Sequence, residues 1–275
     1  LLEVARPGLH LTDRFRWWAI PSDTVRAVTD QPGLLGRVVY RPASVTIMQE
    51  RLKQLPATER GLAWELGKQK IDASDPRVRE LPAPDQARAL ELGYEYAAYE
   101  AATGNNKAPD AVARMRELLL ARSRLPVAPQ KPEIPVPAVR PDEGHKTSRI
   151  GLGAGSRDGR RFGEIHLRPT YHDLLDQDAG YTRGAQIQFF DMRFRQYEGD
   201  GGLRLEDFKP LDIFSLSPRN DFFNPVSWKI NLGWTRKRLA DGAEPLVFRL
   251  HGGPGLAYAA PRLFGGNAIY YGFLE

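Results

Sequence analysis

From Lys146 onward the chain alternates apolar and polar side chains with a period of two, and its clearest stretch is Pro225 to Arg238, PVSWKINLGWTRKR. Val226, Trp228, Ile230, Leu232 and Trp234 share one side of an extended strand, with Ser227, Lys229, Asn231, Gly233 and Thr235 on the other. About ten residues with tryptophan near both ends is the pattern of a tilted strand crossing an outer membrane, where indole rings favour the interface. It is equally the pattern of one face of a soluble sheet packed on a core. Similar alternation follows Ile150, Leu152 and Ala154, then Ile165 and Leu167, with Ser156 to Arg160 as the turn between them. In Gly184 to Tyr197 the apolar phase moves from Ile187 and Phe189 to Phe190, Met192 and Phe194, which predicts a bulge near Phe189. Leu203 to Leu216 reads as a strand pair or one bent strand, and Asp241-Gly242 starts a turn. Leu246 to Leu250, Leu256 to Tyr258 and Ala268 to Leu274 complete about seven strands, favouring an up-and-down antiparallel sheet.

Before Lys146 the period is helical. Ser44 is placed to cap a helix with Val45, Met48, Leu52 and Leu55 on one face, and Thr58 to start a second with Leu62 and Leu66 inward. A third helix runs through Leu90, Tyr94, Ala97 and Ala101 towards Gly104, and a fourth has Pro109 in its first turn and buries Val112, Met115 and Leu119. This predicts a small helical bundle. Near the start, Pro7-Gly8 ends one helix, Ser22 or Asp23 caps another, and Trp17, Trp18 and Ile20 need a surface to cover them. Pro126, Pro129, Pro132 and Pro135 recur at three, as along one edge of a polyproline II spacer about 50 Å long. The expected organisation is therefore 1-42, the end of a preceding domain; 43-125, a helical connector; 126-142, a proline-rich linker; and 143-275, an antiparallel β domain. The fold class is α+β, with the β part read as an incomplete outer-membrane-like barrel. Bacterial barrels usually close with an even strand number, so about seven strands imply further C-terminal sequence.

Composition narrows the function classes. A 41% hydrophobic, 27% charged chain of 275 residues is that of a folded protein, and its net charge of +5 comes from scattered arginines without a basic-aromatic module, so nucleic acid is not expected as a partner. There is no cysteine, which removes disulfides, thiolate metal sites and a thiol nucleophile. Gly151 to Gly155, GLGAG, lies within an alternating strand and not between a strand and a helix, so it reads as close packing or a curved wall and not as a phosphate loop. His251 to Gly255, HGGPG, resembles an oxyanion loop of some α/β-hydrolases. It has no G-x-S-x-G partner, and reads as a strand break or tight loop. In RPTYHDLLD, His172 beside Asp173 offers an imidazole held by a carboxylate, and with His145 and Arg149 it forms a candidate polar site. No matched ligand pair predicts a metal or other cofactor, and Asp173, Asp176 and Asp178 lack EF-hand spacing. Ser217 to Asp221 reads as a turn.

Several stretches together resemble the bacterial family carrying an Lnb N-terminal periplasmic domain: LLEVARPGL at Leu1, WAIPSDTVRAV at Trp18, VVYRPAS at Val38, HKTSRIGLGAG at His145, LRPTYHDLLD at Leu167, GAQIQFFD at Gly184 and SLSPRNDFFNPVSWKINLGW at Ser215. The resemblance implies an upstream papain-like cysteine domain whose nucleophile precedes a helix ending in a segment similar to Leu1 to Gly8. One relative of this type implies lipoprotein N-acyl transfer, which makes an envelope lipoprotein or peptide the expected substrate of that upstream domain. No catalytic residue of the family maps onto this chain. The expected function is thus a non-catalytic part of a Gram-negative envelope protein, located in the outer membrane or periplasm, that anchors or presents a cysteine acyltransferase or amidohydrolase. Trp228, Ile230, Leu232 and Trp234 are its expected lipid-facing residues, with outer-membrane lipid as partner. The alternative is a soluble periplasmic binding or scaffold module whose sheet packs on the helices.

Overall fold

A computed structural model of the chain describes residues 20–103, 108–129, 131–263 and 266–275. The class is mixed α+β: six helices precede a curled half-barrel sheet with seven principal strands among the described residues, and none of the described helices is long and apolar enough to cross a membrane. Among the described residues two compact units form, 20–37 with those from 137 on, and those within 38–136. The expected separate segment 1-42 is therefore corrected over its described part. Helix α1 (Pro21–Thr29) belongs with the sheet, because Arg26 donates from Nη2 to the Gly144 carbonyl at 2.8 Å and from Nε to the Asp142 carbonyl. Asp23 sits at the third helical position and accepts the Ile20 N–H at 3.3 Å, so neither it nor Ser22 is the N-cap. The helix expected before Pro7, and Trp17 and Trp18, lie outside the described residues. The boundary between units falls inside the proline-rich stretch, at Val136/Pro137.

The unit 38–136 holds α2 (Ser44–Gln54), α3 (Ala57–Gly67), α4 (Pro76–Arg79), α5 (Ala83–Ala102) and α6 (Ala108–Ser123). Met48, Leu52 and Leu55 of the first face, Leu62 and Leu66 of the second and Leu90 and Ala97 of the third are buried as their spacing predicts. Helix α6 is different. Val112 and Leu119 are exposed, and the buried positions are Ala111, Arg114 and Leu118, a helix turned by one residue from the expected face. The guanidinium explains the turn: Arg114 donates to the carbonyl of Leu66 at 2.6 Å, which also accepts the Gln69 N–H at 3.2 Å, and to that of Ile71 at 2.5 Å, and pairs with Glu117 at 2.6 Å. Helices α3 and α5 approach closely where Gly67 meets Gly93. A Cβ at Gly93 would lie 3.0 Å from the Leu66 Cβ and 3.2 Å from the Ala63 carbonyl.

The sheet runs β1 (Arg149–Arg157), β2 (Arg160–Arg168), β4 (Ala185–Tyr197), β5 (Arg204–Ser215), β7 (Ser227–Arg236) and β8 (Leu246–Leu263), each antiparallel to the next, with β9 (Gly266–Phe273) also on β8. Two short pieces join it, β3 (Thr170–His172) on β4 and β6 (Pro218–Arg219) parallel to β8. Asp158 and Gly159, both at positive φ, make the β1–β2 turn, the backbone that a two-residue hairpin loop of this twist needs. The bulge expected near Phe189 is corrected: the register irregularity of β4 against β5 lies between Arg193 and Phe194, and the change of face is made instead by the backbone at Phe190. There φ is +58° while the register with β5 is kept from Phe189↔Leu211 to Asp191↔Lys209, so Phe189 and Phe190 both point outward and Asp191 turns in. Opposite, β5 is one bent strand whose register against β7 shifts between Phe208 and Leu211. The expected break at HGGPG is corrected. His251 to Gly255 lies within unbroken β8, and side chains at Gly252 and Gly253 would run into the Lys229 and Leu274 carbonyls of its two neighbours. Ser217 to Asp221 is partly a turn, with β6 inside it.

Among the described residues, fifteen of the twenty buried apolar side chains belong to 38–136, while twelve of the fifteen buried polar ones belong to the sheet unit. The helical unit thus has an ordinary apolar core and the sheet does not. Replacing Gly93 by Leu is expected to cost the helical unit about 1–3 kcal/mol by overpacking, whereas Gly61→Ala, at a helix position where a Cβ meets nothing within 4 Å, is expected to gain about 0.5–1 kcal/mol. Chemical unfolding followed by far-ultraviolet circular dichroism measures both.

Candidate functional site

The two faces of the sheet differ in polarity. Along β7, Ser227, Asn231 and Gly233 are buried while Trp228 and Trp234 stand out, with Trp228 44% exposed, and Ile230 and Leu232 sit between them on the same outer side, half-covered by neighbouring strands. The ladder repeats this on both flanks. Trp234 is opposite Phe208 and Phe248, Leu232 opposite Leu211 and Leu250, and Ile230 opposite Ile213. Leu250 is 63% exposed and Ile150 76%. One row of rings crosses four strands: Phe190 to Phe208 at 6.5 Å, Phe208 to Trp234 at 5.8 Å and Trp234 to Phe248 at 5.2 Å between centroids. Nearer the other ends of the strands stand Trp228, Leu256 and the cross-strand pair Tyr258 and Tyr270, all exposed.

The inner face carries carboxylates, amides and cations. Asp191 is 2% exposed and Asp212 5%, with Gln186, Gln188, Glu206 and Asn231 also buried. His166 Nε2 lies 2.5 Å from Asp191, Arg195 bonds Glu164 at 2.7 Å, and Lys209 lies 3.7 Å from Asp212. These groups surround a cavity of about 580 Å³ lined by, among others, His166, Gln186, Gln188, Asp191, Lys209 and Asp212. Such side chains are tolerated in a low-polarity setting only when they satisfy one another or reach water.

At one end of the sheet the structure brings His145, Arg149 and His172 together, as the sequence predicts, and adds Asp176, Arg168 and Tyr181. His145 Nε2 is 2.8 Å from His172 Nδ1, and Tyr181 stacks on both imidazoles with centroids 4.3 Å away while its hydroxyl donates to the His145 carbonyl at 2.6 Å. The carboxylate facing the imidazoles is Asp176, not Asp173. Asp173 instead accepts from Gln188 at 2.9 Å and from the Leu175 N–H at 2.7 Å, and its own N–H donates to Asp176 at 3.1 Å. Arg168, almost fully buried, holds Asp176 at 2.6 Å, and Arg149 reaches the other oxygen at 3.2 Å. Burial alone would raise the Asp176 carboxyl, but the Arg168 guanidinium and the Asp173 amide outweigh it and keep it below the ordinary carboxylate range. Burial pushes the Tyr181 phenol up. Asp176 was within sight in the sequence as the last acidic residue of H-D-x-x-D, but strand ends and loop geometry decide which of two nearby carboxylates faces a ring.

Two family profiles match the chain, each described as a domain of unknown function: DUF7842 over residues 38–134 and DUF7840 over residues 138–275. The chain belongs to the DUF7840 family, whose matched region holds the sheet. No curated protein and no solved structure matches it.

Replacing Arg168 by Gln leaves the Asp176 carboxylate buried without its closest cation and is expected to destabilise the sheet unit by about 3–5 kcal/mol. Arg149→Gln, at an exposed guanidinium, is expected to change stability by less than about 1 kcal/mol. Guanidinium unfolding curves of the two variants separate these outcomes.

Proposed function

We propose that this chain is a non-catalytic portion of a Gram-negative envelope protein: its sheet lies in the outer membrane as part of a β-barrel, and its helices link that anchor to an upstream cysteine-dependent acyltransferase or amidohydrolase domain. The observation that carries the membrane reading is the polarity of the sheet, with Trp228, Ile230, Leu232 and Trp234 outward and Asp191, Asp212 and Asn231 inward. Lipid replaces a second protein layer over such an outer face, and antiparallel pairing satisfies the backbone groups that lipid cannot. The dimensions agree. From Leu246 to Tyr258 the outer face of β8 extends about 40 Å along the strand, and a tilt of about 40° brings this to about 30 Å, enough for an apolar band about 25 Å tall with aromatic rings at its rims. The row Phe190, Phe208, Trp234, Phe248 fits one rim, and Trp228, Tyr258 and Tyr270 fit the other.

The link to an upstream enzyme rests on the resemblance of the segments at Leu1, Trp18, His145, Leu167, Gly184 and Ser215 to the Lnb-type family, and on a cysteine-free composition that leaves nucleophilic thiol chemistry to another domain. The substrate class on this reading is an envelope lipoprotein or peptide.

The full chain refolded with phosphatidylcholine vesicles is expected to float with the lipid. Leu232→Lys and Leu250→Lys are each expected to lower folded stability there by about 2–4 kcal/mol, the cost of a cation near the bilayer centre. A wild-type chain that is monodisperse without detergent and stays out of the lipid fraction contradicts the proposal.

A further inference from the structure

His145, His172 and Asp176 come from three separate stretches: the segment before β1, the end of β3 and the loop after it. One ligand atom of each lies within 4.8 Å of the other two. His145 Nδ1 is 2.8 Å from the Lys146 carbonyl. A carbonyl only accepts, so this nitrogen carries the proton and Nε2 presents its lone pair, the arrangement by which a neighbouring oxygen fixes a ligating imidazole. That lone pair faces His172 Nδ1 at 2.8 Å and lies 3.8 Å from the nearer Asp176 oxygen. Bonds of about 2.0–2.1 Å to one tetrahedral ion place two nitrogens about 3.3 Å apart, so the imidazoles need to spread by about half an ångström. Asp176 has capacity for one more partner, on Oδ1: Arg168 and the Asp173 N–H occupy Oδ2, the oxygen nearer His145, while Oδ1 meets, among the described residues, only the exposed Arg149, so ligation turns Oδ1 to the imidazoles or displaces a donor from Oδ2.

Burial holds the second imidazole in place. His172 is 2% exposed, and the nitrogen it turns to His145 is Nδ1, whose single neutral hydrogen bond an ion between the two rings would replace with two coordinate bonds. Tyr181, stacked on both rings, holds them in this orientation without itself offering a ligand atom to the pair.

We propose that His145, His172 and Asp176 bind a divalent transition-metal ion of the zinc class, leaving a fourth position for water or another ligand. Two imidazoles and one carboxylate select such an ion over magnesium or calcium, which take oxygen donors. Bound, it ties the segment ahead of β1 to β3 and its following loop. The site stands whether or not the outer face of the sheet meets lipid.

The test uses the full chain without a histidine tag, stripped with chelator, in whichever of buffer or detergent keeps it monodisperse. Calorimetric titration with zinc is expected to show one equivalent bound with micromolar or tighter Kd, and cobalt to give visible ligand-field absorption. His145→Ala and Asp176→Asn should each weaken zinc at least about tenfold, while Asp173→Asn, whose carboxylate faces Gln188, should leave it within about twofold. His145 is partly exposed, so its variant keeps the test valid if His172→Ala does not fold, and a wild-type-like melting curve in chelator establishes that it has folded. No zinc binding by the wild type overturns the proposal, as does undiminished binding by folded His145→Ala, or calcium binding tighter than zinc.

Discussion

The sheet unit is governed by one constraint: its buried carboxylates, amides and cations lie on the concave side, among rings such as Phe214 and Tyr271, while the exposed leucines, isoleucines and aromatic rings of β4, β5, β7 and β8 occupy the convex side. Asp191, Asp212 and Asn231 cannot form an apolar core, so the inner face holds together through pairs such as His166 with Asp191 and Arg195 with Glu164. The outer face has the complementary requirement. Contiguous apolar surface of this kind is rare on a protein bathed in water, and it is the physical basis of the proposed membrane role.

Backbone detail serves that separation of faces. Phe190 in the left-handed region changes which side the next residues take without breaking the ladder, so Phe189 and Phe190 both join the outer face while Asp191 stays within. Glycines 252 and 253 let β8 run unbroken between β7 and β9 where side chains would meet backbone carbonyls. At the end of the sheet, Arg168 holds Asp176 in place while Tyr181 fixes the two imidazoles, and the result is a rigid cluster distinct in chemistry from the inner face beside it.

The strands were legible in the sequence because side chains alternate across a strand as a matter of geometry, and the period-two rows on either side of Trp228 and Leu167 needed no tertiary knowledge. The phase slip was legible for the same reason. The buried face of helix α6 was not, because a hydrophobicity pattern places arginine outside, and nothing local reveals that Arg114 binds the Leu66 and Ile71 carbonyls. HGGPG was misread because glycine signals both a turn and a close crossing, and only the neighbouring strands distinguish the two. Of the polar cluster, His145, Arg149 and His172 could be picked from the sequence. The choice of Asp176 over Asp173 depends on how the chain turns after β3.

The most direct measurement is depth-dependent fluorescence quenching of Trp228 and Trp234 by brominated lipids, in a chain whose other tryptophans, Trp17, Trp18 and Trp64, are replaced by phenylalanine. With the convex face against lipid, both indoles are quenched most strongly by bromines near the headgroup region, and a tryptophan substituted for Leu232 between them is quenched most by bromines placed deeper. Indoles that ignore brominated lipid but are quenched by a water-soluble agent contradict the membrane reading of the sheet.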